Sequence, residues 1–307
     1  MNYFFAPLEG ITGFIYRNTY EKHFGGISKY FSPFITTNQN FTIQNREKRD
    51  ILPENNKEIY LVPQLMSNNA EQFIDMVRKI QDLGYQEVNL NLGCPSRTVV
   101  TKKKGSGFLA YPEDLNRFLE EVFYYCTDME ISIKTRIGME EPAEFDRLLQ
   151  IYNKYPLKEL IINPRLQTDY YKNHPNMEVF KEALDKVKAP VCYNGDLFTV
   201  EDIENFRTEY PTVENVMLGR GILKAPPLMK ELEGEPRDLK KWHEFLAELC
   251  EKYRKELYGD TNVLYKMKEL WYYLFQSLPD SEKAVKAMRK TSNLEDYWIL
   301  VRSILRG

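Results

Sequence analysis

Short apolar runs recur along the first 222 residues, separated by stretches of a different period. Eight of them are rich in β-branched and aromatic residues: Tyr3–Ala6, Ser28–Ile35, Tyr60–Met66, Glu87–Leu92, Glu130–Arg136, Glu159–Asn163, Pro190–Asn194 and Asn215–Leu218. Several are nearly continuous in apolar character, the pattern of strands buried on both faces. The segments between most of them have helical spacing. In Ala70–Leu83 the apolar residues Phe73, Ile74, Val77, Ile80 and Leu83 share one face, and Gly84 follows as a stop. Pro112–Cys126 opens with proline at a first-turn position. Glu141–Tyr155, Met177–Val187 and Val200–Tyr210 repeat the pattern. The connection Thr36–Glu58 fits least well, being polar, Asn-rich and only partly periodic.

Eight strands alternating with helices over about 220 residues predict an α/β fold, a (β/α)8 TIM barrel of ordinary size. A doubly wound open sheet is the competing architecture, and it needs a glycine-rich fingerprint after the first strand. Pro7-Leu8-Glu9-Gly10 stands there instead. The domain reading is a barrel over residues 1–223, a linker over 224–237 and a helical bundle over 238–307. The linker is rich in Pro, Gly and charge. Four helical segments follow: Asp238–Tyr258, Thr261–Ser277, Asp280–Lys290 and Asn293–Leu305.

Composition narrows the class only modestly. Of the 307 residues, 43% are hydrophobic and 28% charged, as in ordinary soluble proteins. Neither a basic-then-apolar leader nor a stretch of membrane-spanning length is visible, so a cytoplasmic protein is expected, without a membrane partner. The net charge of −3 argues against holding nucleic acid by overall charge. Four scattered cysteines and three unpatterned histidines give no disulfide framework and no metal-binding spacing. No metal and a monomeric state are expected.

Chemistry concentrates where the strands end. Barrel active sites lie at the C-terminal rim. The residues falling there are Pro7, Leu8 and Glu9; Gln64; Asn91 and Cys94; Lys134 and Arg136; Asn163 and Arg165; Asn194, Gly195 and Asp196; and Gly219, Arg220 and Gly221. Stability alone predicts aliphatic residues at such positions. The turns after strands seven and eight, Asn194-Gly195-Asp196 and Gly219-Arg220-Gly221, form a pair suited to a phosphate-bearing cofactor, since glycine admits close backbone approach and arginine adds a charged fork. Singly, each is an ordinary tight turn.

Lys134 at the rim needs an anionic or carbonyl partner, because burying a lone ammonium is costly. A Schiff base, a phosphate ligand and a donor to a flavin ring all remain open. Cys94, boxed between Gly93 and Pro95, is poorly placed for core packing. A thiolate there is a nucleophile and a thiol is an acid, and an ordinary cysteine is largely protonated at neutral pH. Cys126, Cys192 and Cys250 are expected to be small buried hydrophobes. Lys102, Lys103 and Lys104, in the loop after Cys94, either form a solvated surface or steer a polyanion.

These residues resemble the tRNA-dihydrouridine synthase family. The resemblance rests on APLEG (6–10), VPQL (62–65), NLNLGCP (89–95), GSGFL (105–109), IKTRIG (133–138), NGD (194–196) and GRGIL (219–223), in the family's order. It implies FMN in the barrel mouth, held by Pro7, Leu8, Glu9, Gln64, Lys134, Asn194, Gly195, Asp196, Gly219 and Arg220, with Asn163 beside them. It implies NADPH or NADH as transient reductant, Cys94 as proton donor, and tRNA as the partner whose uridine is reduced. Asn91, Arg136, Arg165 and Lys102–Lys104 are the expected substrate contacts. One departure stands out: the family usually carries histidine in the strand-six motif, and this chain reads INPR with Asn163. Asparagine keeps a hydrogen-bonding group there but no positive charge. Two other functions compete: a flavin barrel acting on a free pyrimidine, similar to dihydroorotate dehydrogenases, and a catalytically idle RNA-binding protein.

Overall fold

The computed structural model describes residues 1–278 and 282–305. Ten parallel strands form the centre: β1 (Asn2–Phe5), β2 (Lys29–Phe31), β3 (Ile35–Thr36), β4 (Leu61–Val62), β5 (Gln64–Met66), β6 (Glu87–Leu92), β7 (Glu130–Gly138), β8 (Leu160–Leu166), β9 (Val191–Tyr193) and β10 (Asn215–Leu218). Their order in the sheet is β3-β5-β6-β7-β8-β9-β10-β1-β2-β4. β4 and β5 are halves of one extended segment, divided at Pro63, which has no N–H to give to a ladder. β2 and β3 likewise share the segment 29–36. The two ends of the order are therefore continuous in the chain, and the ten strands make eight staves of a closed barrel.

The expected strands and helices lie where the periodicity puts them, mostly within two residues at each end. β6 and β10 match their expected bounds, and Ala70–Asp82, Pro112–Tyr125, Met177–Lys186 and Val200–Glu209 are helices. Local chemistry starts them. The Asn69 side chain accepts from Gln72 N at 2.9 Å, and Thr199 and Asp202 cap reciprocally. A further helix, Phe14–His23, joins the first two staves.

Two segments differ from the expectation. The polar connection 36–58 contains a helix, Asn45–Ile51. A capping box between Gln44 and Glu47 starts it, and its end is tied down from outside. Arg17, fully buried, donates to Thr12 O (2.8 Å), Asp50 Oδ2 (2.9 Å), Asp50 O (2.8 Å) and Asn56 Oδ1 (3.0 Å). Within the stretch read as a linker, Leu228–Leu232 is helical, and Leu228 and Met229 are buried. Three apolar residues, Leu228, Met229 and Leu232, in a short charged stretch with prolines before and after give too brief a period to stand out, so composition alone suggests open chain.

The C-terminal helices are Leu239–Glu256, Asp260–Leu274, Glu282–Lys290 and Leu294–Leu305. The expected segment Asp280–Lys290 and the bundle's end at 307 run partly outside the described residues. Trp242, Phe245, Leu249, Trp271 and Tyr297 fill the bundle, and Trp271 Nε1 donates to Tyr297 Oη at 3.0 Å. The bundle is continuous with the barrel's outer core. Phe245 packs edge-on against Tyr16 and Phe24 of the barrel side at 5.6 and 5.2 Å between ring centroids. No helix among the described residues is long and apolar enough to cross a membrane.

Arg17 generates the first prediction. Replacing it with methionine keeps apolar bulk but strands the Asp50 and Asn56 oxygens in a buried setting. A loss of about 3 kcal/mol is expected. Denaturant unfolding with an unchanged slope measures it; a loss below about 1 kcal/mol contradicts this role.

Candidate functional site

The turn that carries Cys94 is built by one side chain. Asn91, the next-to-last residue of β6, is buried, and its Oδ1 accepts from both Gly93 N and Cys94 N at 3.0 Å. Its Nδ2 donates to Gln64 Oε1 at 2.7 Å. The Cys94 carbonyl is held in turn by Ser106 N and Ser106 Oγ, at 3.1 and 2.9 Å. Gly105 makes that second contact possible. It has φ +56°, and a Cβ there would lie 2.9 Å from the Cys94 carbonyl oxygen. The turn is thus clamped from below and from the side, with the sulfur half-buried at the rim. Burial pushes the Cys94 thiol pKa up, against the opposing pull of a backbone N–H at Ser96 and of Arg136 and Lys134. Cys126, Cys192 and Cys250 are buried free thiols.

Lys134 is paired in register with Asn91 on the neighbouring stave. It is partly buried, and no hydrogen bond or ion pair engages its Nζ among the described residues. Burial and the nearby Arg136 guanidinium lower its pKa to about 8. Asn163 lies opposite Arg136 on the next stave, is 8% exposed, and has a buried Oδ1 without a donor. A lysine without an acceptor and a buried oxygen without a donor are expensive in a finished core. Both make sense beside a polar ligand that supplies the missing partners.

The arginines occupy different roles. Arg136 is 1% exposed and donates to Gly93 O (2.9 Å), Leu166 O (2.7 Å) and Tyr170 O (2.7 Å). It ties the β6, β7 and β8 loops together. Tyr170, whose carbonyl it holds, has φ +49°, a strained value for a bulky residue. Arg165, also 1% exposed, donates to Asn173 O at 2.7 Å and pairs with Asp196. Asp196 pairs with Arg220 through its other oxygen, so one carboxylate sits between two guanidiniums. Arg220 lies over the rings of Tyr171 (4.8 Å) and Phe198 (5.3 Å), and Lys224 Nζ lies 3.6 Å from the centroid of Phe198.

Gly195 and Gly219 stand at the ends of β9 and β10, as expected. In the same turn as Gly219, a Cβ on Gly221 would come within 2.3 Å of Leu197 O. The two turns are thus pressed together, backbone against backbone. Asn194 is buried and donates to Met217 O at 2.8 Å. Pro7 and Leu8 are half-buried at the rim. Glu9 is exposed and turns outward to Arg46 at 2.9 Å. It lines a cavity of about 570 Å³ with Phe14, Phe34, Tyr253, Leu257 and Lys266. That cavity flanks the mouth, between the first staves and the helical bundle, and contains neither Cys94 nor Lys134.

The three lysines of the Cys94 loop diverge. Lys104 turns inward to Thr37 O at 2.8 Å, Lys103 lies over the ring of Tyr111 at 4.3 Å, and Lys102 is exposed. The structure also brings forward residues that sequence reasoning passed over. Tyr171 packs between Arg136 and Arg220, and Phe198 lies under Arg220 and Lys224. The Tyr170-Tyr171 pair just after the INPR motif was a usable signal; Phe198 had none. No cluster of His, Cys, Asp or Glu suited to a metal ion occurs among the described residues.

Among solved structures, the fold is similar to morphinone reductase in complex with tetrahydroNAD (TM-score 0.51, 12% identity, 76% of this chain and 86% of that one). It is similar also to the old yellow enzyme homologue from Zymomonas mobilis (TM-score 0.54, 11% identity, 78% and 92%). In sequence it is 24% identical to the tRNA-dihydrouridine(16) synthase of Pseudomonas syringae pv. tomato, over 96% of both chains. It is 29% identical to the tRNA-dihydrouridine(16) synthase of Pseudomonas putida, over 57% of this chain and 55% of that protein. The family model for dihydrouridine synthase (Dus) matches residues 4–300, which takes in the barrel, the Cys94 turn and nearly all of the helical bundle, and the chain belongs to the dihydrouridine synthase family.

Proposed function

We propose that this chain reduces the C5–C6 double bond of uridine in tRNA, with FMN in the barrel mouth and Cys94 as proton donor. The observation that carries the reading is a clamped, half-buried thiol at the rim together with an unpartnered lysine and an unpartnered amide oxygen on the adjoining staves. A flavin mononucleotide matches this donor set. Lys134 offers an ammonium to a ring carbonyl or anionic nitrogen, and Asn163 offers an acceptor to a ring N–H. Pro7 and Leu8 wall the mouth, with buried Gln64 and Asn194 beneath it. Gly195, Gly219 and Arg220 suit the phosphate, with Asp196 aiming Arg220 rather than meeting the anion itself. Glu9 belongs to the edge of the site through Arg46.

When bound and reduced, FMN supplies the hydride that C6 of the uracil takes up. The proton and the positioning fall to this chain. Cys94 gives its proton to C5, so hydride and proton together saturate the bond, and solvent restores the thiol. Burial keeps that thiol protonated until it is used. The Arg136 and Lys134 charges then stabilise the thiolate left behind. Arg136 and Arg165 act here by holding the loops in place, and Asn91 by shaping the turn. Exposed Lys102 and Lys103, with Tyr170 and Tyr171, offer the RNA charge and stacking area. NADPH or NADH is the reductant that returns the flavin to its reduced form.

A free pyrimidine is the less favoured substrate. The helix Asp260–Leu274 lies along the rim, where Lys266 bonds the Gly10 carbonyl and Glu269 approaches Gly10. The bundle therefore enlarges the surface around the mouth, which suits a macromolecule. The names of the relatives point the same way.

Two outcomes are expected. Cys94→Ala retains FMN and loses about 10²–10⁴-fold in dihydrouridine formation on unmodified tRNA. Turnover at the wild-type rate removes Cys94 from the mechanism. Lys134 is charged below its pKa of about 8 and neutral above it. FMN affinity of the apoprotein should therefore fall as pH rises through about 8, and Lys134→Met should abolish that fall. Flavin fluorescence titration from well below to well above that pKa measures both, and an affinity that rises with pH contradicts the assignment.

A further inference from the structure

The barrel interior is divided. Phe4, Phe31, Val62, Ile161 and Met217 pack together on one side. On the other, a single file of hydrogen bonds runs from the floor to the rim. Lys29 Nζ lies 3.2 and 2.9 Å from the two oxygens of Glu87. Ser132 Oγ donates to Glu87 Oε1 at 3.1 Å. Asn89 Nδ2 donates to Ser132 Oγ at 2.9 Å, and Gln64 Nε2 to Asn89 Oδ1 at 2.8 Å. Asn91 Nδ2 then donates to Gln64 Oε1, and Asn91 Oδ1 receives the backbone N–H groups of Gly93 and Cys94. Gln64, Asn89 and Ser132 are fully buried, so water does not stand in for a missing partner.

The direction of this file is fixed at both ends. At the rim, two backbone N–H groups can only donate, so Asn91 must turn its oxygen to them and its nitrogen to Gln64. At the floor, a carboxylate paired with lysine only accepts, and the Ser132 hydroxyl gives it its proton at 3.1 Å in preference to Val88 O, which lies farther off at 3.4 Å. Each amide between has one permitted orientation. Gln64 consequently spends its oxygen on Asn91 and one N–H on Asn89, and a single N–H remains uncommitted. A file of the opposite sense turns the Asn91 nitrogen against two N–H groups, and the Cys94 turn loses its cap.

We propose that Glu87, on the barrel floor, is a positioning residue that sets the orientation of Gln64 and of the Cys94 turn through Ser132, Asn89 and Asn91. The proposal rests on reading that turn as the site of uridine reduction. Glu87 touches neither cofactor nor substrate in this account. By being an acceptor it agrees with the rim on which end of Gln64 faces Asn91 and which faces Asn89; a donor in its place would set the floor against the rim.

Asn89→Asp tests it with almost no change of shape. The introduced carboxylate still accepts from Gln64 but has no N–H for Ser132. The one hydroxyl proton of Ser132 cannot serve both that carboxylate and Glu87. Adding Glu87→Gln repairs the conflict. The floor amide then donates to Ser132 and keeps its oxygen for Lys29, Ser132 donates to the carboxylate at position 89, and the group again holds one carboxylate. Two readouts are taken on the full chain: FMN affinity of the apoprotein, and the rate at which iodoacetamide alkylates Cys94 at one fixed pH. The single variant should bind FMN about tenfold or more weakly and alkylate at an altered rate, and the double variant should recover most of both. Asn215→Ala, on the same floor but outside the file, is the control: its amide bonds Glu159 Oε1 at 2.6 Å, and its loss should lower the melting temperature while FMN affinity holds. Should Asn89→Asp not fold, Ser132→Ala removes the same link without adding charge and is read the same way. A single variant equal to wild type in both readouts overturns the proposal, as does a double variant no better than the single. Wild-type protein that binds no FMN would overturn the functional reading instead, and the alkylation arm would still decide the file.

Discussion

A closed parallel barrel leaves no room for unpaired polar side chains, because its interior holds a fixed volume that water does not enter freely. Every amide, hydroxyl or charge placed there must be matched by a neighbour or by a ligand. This constraint organises the molecule. Gln64, Asn89, Asn91, Ser132 and Glu87, with Lys29, satisfy nearly all of it among themselves and leave one Gln64 N–H over, in a file whose sense agrees at both ends. Arg136 and Arg165 satisfy it with backbone carbonyls and Asp196. Some groups are left over: Glu159 Oε2 on the floor, and the Lys134 ammonium and the Asn163 oxygen toward the rim. The two at the rim lie close to the Cys94 turn, and their conjunction with it is what marks the site.

The helical bundle extends this logic outward. Its second helix is fastened to the rim by Lys266 on the Gly10 carbonyl, and Ser277 bonds Lys224 O at 2.5 Å, next to the turn that carries Arg220. The bundle therefore touches the ends of the first and eighth staves, which are neighbours in the closed ring. Its aromatic core merges with that of the barrel through Phe245. The bundle and the mouth are thus joined by direct contacts at two neighbouring staves and by a shared aromatic core.

The fold was legible in the sequence because burial on both faces leaves a strong trace. β6 is buried at every position, and its apolar run has the observed bounds. The polar strand ends were legible for the complementary reason, since side chains there are chosen for chemistry. Three things were not readable. The far end of Asn45–Ile51 is tied to Arg17, some thirty residues away in the chain, and no local pattern reports such a partner. Leu228–Leu232 hides inside a charged stretch. The diverging directions of Lys102, Lys103 and Lys104 depend on what each meets: solvent, the Tyr111 ring, or the Thr37 carbonyl. A run of like charges in sequence carries no information about that. The roles of Arg136 and Arg165 were half legible. Their place at the rim was visible, while their engagement with carbonyls of other loops was not.

Charge makes the same point about scale. The whole chain is net negative, at −3, which by itself disfavours anionic partners. The rim is not an average of the chain. Lys134, Arg136, Arg165, Arg220 and Lys224 converge on it, and Asp196 neutralises part of two of them while fixing where Arg220 points. Field strength in a concave, partly desolvated mouth is set by the nearest charges, because more distant surface charges are screened beyond about 10 Å at ordinary salt. Burial lowers the pKa of both Lys134 and Lys224, which means each is held at an energetic cost that an incoming anion would offset. An acidic protein can thus carry a site that attracts phosphate, provided the cations are gathered where backbone turns already bring the strand ends together.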